Sequence, residues 1–236
     1  MPIFIEEFKR NQNSLWILKP SNRSQGQGIV LVNKLNKIKK LNFQTKTIIE
    51  NNTQVIINET YVISRYLDNP FLVSDKKFDM RIYVLVTSYR PLKVWLYKMG
   101  FCRFCNEKYT VDVNEIDNIY VHLTNVAIQK KYEKYNAKHG GKWNLKNLKI
   151  YLEMNYGFDK TSKCFSDIRG VIVNSLKSVQ PVINNDKHCF EVYGYDIILD
   201  ASLKPWLIEI NASPSLSTTT VADKNLKKSM ISDVYK

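Results

Sequence analysis

Two apolar segments near the end of the chain constrain its fold more than any other feature. Residues 190–200 (FEVYGYDIILD) and 205–211 (PWLIEIN) are rich in aromatic and β-branched side chains. A short polar stretch from Asp200 to Lys204 separates them. Two runs of this composition on either side of a polar turn predict a β-hairpin.

Three oxygen-bearing side chains fall on one face of that hairpin. A turn centred between Ser202 and Leu203 would place Asp196 opposite Glu209. Asn211 points to the same side as Glu209, because side chains alternate along a strand. Two carboxylates and an amide among apolar residues are costly unless a cation neutralises them, and such oxygen ligands suit Mg²⁺. An exposed hairpin face that carries acids by chance also fits the pattern.

The composition is that of a globular protein. The chain has 236 residues, enough for one large or two small domains, and 44% of them are hydrophobic. No apolar stretch is long enough to span a bilayer, and residues 1–7 lack the features of a signal peptide. Four cysteines are too few for a disulfide scaffold. We therefore expect a cytoplasmic protein without membrane insertion.

The charge balance is strongly basic. The net charge is +13, from 35 basic and 22 acidic residues. A field of that sign attracts nucleic acid, anionic membranes or acidic protein segments.

The remaining pattern mixes helices and strands without a strict β-α-β rhythm. Apolar runs predict strands at residues 15–19, 29–32, 61–67, 78–87, 92–97 and 100–104. Helices are predicted at residues 34–41, 143–154, 166–179 and 222–234. We expect an α+β fold with largely antiparallel sheets.

A polar loop with two glycines follows the first predicted strand. Lys19 ends that strand, and Gly26 and Gly28 lie in the loop of residues 21–28. Glycines let backbone N–H groups approach phosphates, and a lysine on a strand adds a positive charge there. The spacing matches neither a P-loop nor a Rossmann fingerprint, so a plain hairpin loop fits as well.

Charged residues also lie on the predicted strands. Lys77, Asp79 and Arg81 share one face of a strand whose other face is apolar. This stripe fits either an exposed sheet face or a site on a central strand. Arg103 lies between aromatic residues, where a guanidinium can be held for a bidentate carboxylate contact.

Two further segments carry polar groups. Residues 122–125 (HLTN) are expected to lie at the end of an apolar strand and to present polar groups there. Two glycines precede Lys142 at a predicted helix start, which could place this lysine in a cleft, although a simple loop at a helix boundary fits better.

Cys102 and Cys105 form a Cys-x-x-Cys pair. A zinc site would need further ligands from Cys164, His188 or Cys189, and no second paired spacing supports one.

Together these motifs resemble the tubulin-tyrosine-ligase-like family of ATP-grasp amino-acid ligases, from about Phe4 to the C-terminus. The matching segments are residues 16–20 (WILKP), 25–29 (QGQGI), 77–88 (KFDMRIYVLVTS), 122–125 (HLTN) and 205–214 (PWLIEINASP). Within the family, the closer similarity is to the catalytic subunit of tubulin polyglutamylase complexes. It is carried by residues 87–92 (TSYRPL), 126–130 (VAIQK) and 184–191 (NNDKHCFE).

The resemblance implies an ATP-grasp-like fold with two α+β subdomains around a nucleotide cleft. Residues 1–67 would form the central subdomain, with the nucleotide flap and the hinge strand. Residues 68–236 would form the C-terminal subdomain, with the amino-acid and metal sites.

The resemblance also assigns roles to matched positions. Contacts with ATP are expected from Lys19, Gln25, Gly26, Ser64, Arg65, Tyr66, Leu67, Lys77, Phe78, Asp79, Thr124 and Asn125. The expected Mg²⁺ ligands are Asp196, Glu209 and Asn211, and the expected catalytic residues are Lys19, Arg81 and Glu209. Gln25 would also face the protein substrate, while Arg103 and Lys142 would hold the carboxylates of free glutamate.

The implied reaction is ATP-dependent addition of glutamate to glutamate side chains on the acidic C-terminal tail of tubulin. The γ-phosphate of ATP would pass to an acceptor carboxylate, and the amine of free L-glutamate would attack the acyl-phosphate. Partner subunits of a polyglutamylase complex and a location on the cytoskeleton, at cilia or basal bodies, are implied, and nucleic acid is not. The alternatives are a non-catalytic tubulin-binding subunit and a sister ligase that adds glycine or tyrosine.

The sequence departs from the family pattern in three places. Family members carry an N-terminal domain ahead of the WILKP strand, and only fourteen residues precede Leu15, so we expect that domain to be missing. Gln27 stands where relatives often have a basic residue. Ser74 and Asp75 stand where close relatives have a glycine pair.

Overall fold

The computed structural model describes residues 2–11, 14–41, 45–50, 53–58, 60–138, 140–186 and 188–235. The helices are α1 (Pro2–Arg10), α2 (Leu35–Leu41), α3 (Ile119–His122), α4 (Val126–Gln129), α5 (Leu145–Tyr156), α6 (Phe158–Val179) and α7 (Val221–Val234), with a 3₁₀ turn at Val113–Glu115. The strands are β1 (Trp16–Pro20), β2 (Val30–Val32), β3 (Thr45–Glu50), β4 (Thr53–Asn58), β5 (Tyr61–Arg65), β6 (Leu72–Val73), β7 (Lys76–Tyr89), β8 (Leu92–Phe104), β9 (Lys142–Asn144), β10 (Glu191–Leu199) and β11 (Pro205–Asn211).

The strands form two sheets and a separate hairpin. The small sheet has the order β2-β1-β5, and the large sheet has the order β11-β10-β7-β8-β9, with β6 paired to the start of β7. β3 and β4 pair with each other. Every strand pairing in the described part of the chain is antiparallel, as the sequence predicted.

The large sheet buries one face against α5 and α6. Met80, Val84 and Cys102 lie on that face and pack with Leu148 of α5 and Ile172 of α6. Burial of each large apolar side chain contributes about 1.5–3 kcal/mol, so this layer supplies much of the stability of the fold. The opposite face of the same strands carries the charged residues, because side chains alternate along a strand.

The small sheet has its own core. Trp16 and Leu18 of β1 pack with Phe8 of α1, Val32 of β2 and Ile38 of α2. The alternate residues of β1 therefore turn to the other face of the sheet, toward the large sheet. The subdomain boundary predicted after residue 67 would fall between β5 and β6, and the division into two subdomains stays a prediction.

Several predicted element bounds were wrong. The strands predicted at residues 92–97 and 100–104 are one strand, β8, and α6 begins at Phe158 rather than at residue 166. Trp143 belongs to β9 rather than to a helix. The Asn144 side chain accepts a hydrogen bond from the N–H of Lys146 and caps α5, which therefore begins at Leu145. The β3–β4 hairpin was not predicted. The helical turn α3 ends at His122, so residues 123–125 follow a helical turn instead of a strand.

The longest of these helices, α6, has 22 residues and carries charged side chains along much of its length. Within the described ranges, no helix combines the length and the apolar character needed to cross a bilayer.

A strained two-residue turn joins β6 to β7. Ser74 and Asp75 have φ values of 51° and 59°, the left-handed region typical of type I′ hairpin turns and favourable to glycine. We expect Ser74→Gly to raise the free energy of unfolding by about 0.5–1 kcal/mol, because the relief of strain exceeds the extra entropy of the unfolded chain. Urea denaturation measures this change. The same substitution at Ser166, within α6, should instead lower stability, since glycine disfavours helix.

Candidate functional site

The β10–β11 hairpin brings Asp196 and Glu209 together. The two residues are direct partners across the ladder, as the sequence predicted. The turn itself differs from the prediction. Leu199 pairs with Pro205, so the turn is centred on Ser202 rather than between Ser202 and Leu203. A bulge at Ile208 adds one residue to β11 and restores the predicted partner.

Six charged residues form two rows on the face of the large sheet opposite α5 and α6. The first row runs across three strands as Glu209 of β11, Asp196 of β10 and Arg81 of β7. The second row runs as Asp79 of β7, Arg103 of β8 and Lys142 of β9. Asp79 and Arg81 are two residues apart on one strand, so both rows lie on the same face.

Ion pairs join the two rows. Arg81 donates to both carboxylate oxygens of Asp196, through Nε and through Nη2 at 2.9 Å. Arg103 donates to Asp79 at 2.7 and 2.5 Å and contacts Asp196 at 2.7 Å. Burial alone would lower the pKa of Arg103, but the two carboxylates outweigh it and raise the pKa above its ordinary value. Thr124 completes the network by donating to Asp79 at 2.9 Å.

The Glu209 carboxyl lies in a different electrostatic setting from that of Asp196. Burial and the adjoining Asp196 carboxylate raise the pKa of Glu209. Burial also disfavours the Asp196 carboxylate, yet hydrogen bonds from Arg81 and the charge of Arg103 lower its pKa. The Asn211 amide nitrogen donates to Gly194 O and to Glu209, both at 3.3 Å, so Asn211 would offer Oδ1 to a cation. Two facing acids and an amide oxygen fit a hard divalent cation such as Mg²⁺.

A cavity of about 430 Å³ lies between the charged face and the small sheet. The predicted site residues that line it are Lys19, Gln25, Gly26, Ser64, Lys77, Asp79, Arg103, Thr124, Asn125, Asp196 and Glu209. Arg81 and Asn211 adjoin it through their contacts with Asp196 and Glu209. The volume lies in the range of small-molecule sites, and its lysines and glycine-containing loop fit a phosphate-bearing ligand.

The loop between β1 and β2 covers part of this cavity. Gln25 and Gly26 have φ values of 59° and 80°, and Gly26 packs closely against the start of α4. A Cβ at Gly26 would lie 2.6 Å from Cδ1 of Ile128 and 2.7 Å from Oδ1 of Asn125. Glycine is therefore required at this position both for its backbone conformation and for its close approach.

A second cavity, of about 280 Å³, adjoins the first beside β5. Residues 64–67 line one side of it, and apolar side chains such as Ile17 and Ile198 line the others. Lys19 and Lys77 line both cavities. Because β5 is the edge strand of the small sheet, its outward N–H and C=O groups are placed to bind the edge of a flat heteroaromatic ring.

Lys142 and Phe78 lie outside these two cavities. Lys142 lines a third cavity of about 150 Å³, where its ammonium donates to Asp223 at 2.8 Å and to Thr219 at 3.1 Å. Burial lowers the pKa of Lys142 in spite of its hydrogen bond with Asp223. The Phe78 side chain lies in the hydrophobic core, 1% exposed, so only its backbone could contact a nucleotide.

The zinc alternative has no structural support. In the described ranges, no group of three or more His, Cys, Asp or Glu side chains is arranged to hold a metal ion. Burial raises the pKa of the Cys102 and Cys105 thiols, which opposes formation of the thiolate that zinc requires.

Sequence reasoning missed three contributors to the site. His122 lines the main cavity, and Asp223 holds Lys142. Gly194 leaves room for Arg81 on the neighbouring strand. The histidine lay in a segment that the sequence had marked as polar, whereas no local pattern distinguishes the other two, whose partners are distant along the chain. Tyr66 was predicted as a nucleotide contact, but the contact of its hydroxyl with Lys77 was not predicted.

Comparison with known proteins shows which family the chain resembles. The profile described as "Tubulin-tyrosine ligase family" matches residues 2–236. The chain is 60% identical over 234 residues to the "Probable alpha-tubulin polyglutamylase Ttll1" of Tetrahymena thermophila, covering 99% of this chain and 56% of that protein. It is 43% identical to the "Probable tubulin polyglutamylase TTLL9" of Bos taurus, covering 98% and 55%. For the human "Tubulin polyglutamylase TTLL5", identity is 35%, covering 93% and 17%.

The chain spans about half the length of the first two relatives. The profile match extends over almost the whole sequence, and the mixed architecture with antiparallel sheets confirms the predicted ATP-grasp-like α+β fold. The chain therefore belongs to the tubulin-tyrosine ligase family.

Proposed function

We propose that this chain is an ATP-dependent ligase that adds glutamate to glutamate side chains on the acidic C-terminal tail of tubulin. The observation that carries the proposal is the convergence of Lys19, Lys77, Asp196 and Glu209 on one cavity, beside the Arg81–Asp196–Arg103 ion pairs. The names of the two relatives, which describe them as tubulin polyglutamylases, support tubulin as the acceptor. The net charge of +13 favours an acidic protein segment as substrate.

We assign the residues of the cavity different roles in phosphoryl transfer. Bound MgATP supplies the phosphoryl group that activates the acceptor carboxylate. Asp196, Glu209 and Asn211 would hold the metal ions, while Lys19 and the loop at Gln25 would hold the phosphates. Such chemistry depends on positioning and charge neutralisation, which cations held in place by the fold supply.

The second row of charges supports glutamate as the amino acid that is added. Arg103 and Lys142 are direct partners across β8 and β9, so two cations lie side by side near the phosphate cavity. Two adjacent cations suit a dicarboxylic amino acid better than glycine or tyrosine. In this proposal, glutamate competes with Asp79, Asp196 and Asp223 for these cations. Its neutral α-amine then attacks the acyl-phosphate carbon, and the amide bond forms as inorganic phosphate leaves and the nitrogen loses a proton.

The proposal places the protein on microtubules, with partner subunits of a polyglutamylase complex. It includes ciliary or basal-body microtubules as sites of action. Labelled glutamate, tubulin and MgATP test the activity directly, with the chain alone and together with candidate partner subunits. We expect incorporation into tubulin that requires ATP and is lost in Lys19→Met, because Lys19 lines both cavities.

The same assay separates the alternatives. Incorporation of glycine or tyrosine in preference to glutamate would indicate a sister ligase. Tubulin binding without incorporation of any of the three, even with partner subunits, would indicate a non-catalytic subunit. Lys160→Met, at an exposed position of α6 away from the two cavities, is the matched control and should retain activity.

Gly194 provides a further test, because its role depends on space alone. A Cβ there would lie 2.9 Å from Cβ of Pro214 and 3.2 Å from Cδ and Nη1 of Arg81. We expect Gly194→Ala to displace the Arg81 guanidinium and to lower glutamate incorporation about 10- to 100-fold. Gly170→Ala on α6 is the control, since nothing lies within 4 Å of the added Cβ, and it should retain activity. Equal activity of the two variants would contradict the assigned role of Arg81.

A further inference from the structure

A buried chain of hydrogen bonds leads away from the nucleotide cavity. Lys77 donates to the Tyr66 hydroxyl at 2.8 Å and to the backbone carbonyl of His122 at 2.8 Å. The Tyr66 hydroxyl lies 3.0 Å from Nδ1 of His122. Nε2 of the same ring lies 3.1 Å from the backbone carbonyl of Glu115. These hydrogen bonds therefore link β7, Tyr66 just after β5, and the end of α3.

The direction of each hydrogen bond follows from the donors and acceptors. A backbone carbonyl only accepts, so Nε2 of His122 must carry the proton that it shares with Glu115. Burial and the Lys77 charge lower the pKa of His122 to about 4, so the ring is neutral near pH 7 and Nδ1 is an acceptor. The Tyr66 hydroxyl then donates to Nδ1, and its oxygen lone pairs face the Lys77 ammonium.

Other groups around the chain are consistent with this assignment. The Tyr109 hydroxyl lies beside Tyr66 and donates to the backbone carbonyl of Asp68 at 2.8 Å. Were Tyr66 to donate to Tyr109 instead, Nδ1 of the buried His122 would lose its donor. Among the groups that act on Lys77, Asp79 raises its pKa and Lys19 lowers it. The Cys105 thiol would raise it only as a thiolate, and burial raises the pKa of that thiol to about 12.

We propose that Tyr66 and His122 are positioning residues that hold the Lys77 ammonium charged and directed toward the bound nucleotide. The inference rests on the proposed ATP site. Two of the three ammonium N–H groups are used by Tyr66 and the His122 carbonyl, which fixes the direction of the third. Lys77 lines both cavities, so this third N–H is placed where they join.

The pH dependence of MgATP binding by the full chain tests this proposal. Burial lowers the pKa of Lys77 to about 8, and MgATP favours the charged lysine, so wild-type affinity should fall as the pH rises above about 8. Tyr66→Phe removes an acceptor from the ammonium. We expect about tenfold weaker binding at pH 7.5 and a decline that begins at lower pH, because a hydrogen bond to a charged group is lost. Equilibrium titrations from pH 6.5 to 9.5 measure both effects.

Two substitutions at His122 separate positioning from packing. His122→Asn keeps an acceptor near the position of Nδ1 and should retain the wild-type pH profile, whereas His122→Phe should shift the profile as Tyr66→Phe does. Tyr89→Phe is the control, because it removes a tyrosine hydroxyl that bonds to Tyr193 at the far end of β7. Thermal unfolding confirms that each variant is folded across this pH range.

Each outcome decides between the proposals. Wild-type binding with unchanged profiles in Tyr66→Phe and His122→Phe overturns the positioning role and leaves the ATP site intact. A failure of the wild-type chain to bind MgATP overturns both. If Tyr66→Phe does not fold, the contrast between His122→Asn and His122→Phe decides alone.

Discussion

The Asp196→Asn variant is expected to lose about 3–5 kcal/mol of unfolding free energy at pH 7. The side chains of Asp196, Arg81 and Arg103 are only 2%, 11% and 10% exposed, and the carboxylate lies between the two guanidinium groups. Removing one member of a buried ion pair leaves an uncompensated charge, which costs far more than the pair contributes. Arg103 retains Asp79, so the larger part of this loss should come from Arg81.

Chemical denaturation as a function of pH measures this effect. The folded protein lowers the pKa of Asp196 from its ordinary value of 3.8, so its ion pairs stabilise the fold fully above about pH 4. That contribution is lost as the pH falls through the lower, folded-state pKa. The difference between wild type and Asp196→Asn should therefore shrink at strongly acid pH. A loss of under about 1 kcal/mol at pH 7 would contradict the buried ion-pair network.

The Glu209→Gln variant should show the opposite combination of effects, with activity lost and stability kept. We expect glutamate incorporation to fall about 10²- to 10³-fold, as for removal of one electrostatic contact in other active sites. Burial and Asp196 raise the pKa of Glu209, so folding disfavours its charged form relative to the unfolded chain, and a neutral glutamine avoids that cost. The free energy of unfolding should therefore stay at the wild-type value or rise.

The incorporation assay and urea denaturation test this pair of expectations. Glu153→Gln on α5 is a suitable control, because its partner Lys149 lies on the same helix and the two side chains are 32% and 50% exposed, away from the charged sheet face. It should keep both activity and stability. Full activity of Glu209→Gln would contradict the assignment of Glu209 as a metal ligand. A large loss of stability would show that Glu209 has a structural role instead.

Local sequence patterns were sufficient for most of the individual elements. Alternation along residues 77–81 predicted a strand with one charged face, and β7 carries Lys77, Asp79 and Arg81 as expected. The C-terminal hairpin was predicted from two apolar runs, and its Asp196–Glu209 pair is confirmed. The bulge that produces this pair was not predicted, because a single inserted residue leaves no trace in the apolar pattern.

Boundaries set by single capping or bridging residues were harder to predict. α6 begins eight residues before its predicted start. Gly157, with φ of 86°, is the single residue between α5 and α6, so no loop precedes α6. Lys142 was assigned to a helix start, whereas it lies on β9 and pairs with Arg103. Three residues are too few for a strand to show a period of its own, so pairing with β8 decides its structure.

The sequence by itself determined most of the element types, the antiparallel α+β class and the charged strand face. Through a family resemblance it also predicted the residues of a nucleotide site and a metal site, and these assignments stay predictions. Only the tertiary structure decided which charges are neighbours. Arg81 bonds to Asp196 across 115 residues and Lys142 to Asp223 across 81. The physical reason is that propensity and periodicity act within a few residues, whereas an ion pair depends on strand order and register. Those are set by the packing of the whole sheet against α5 and α6.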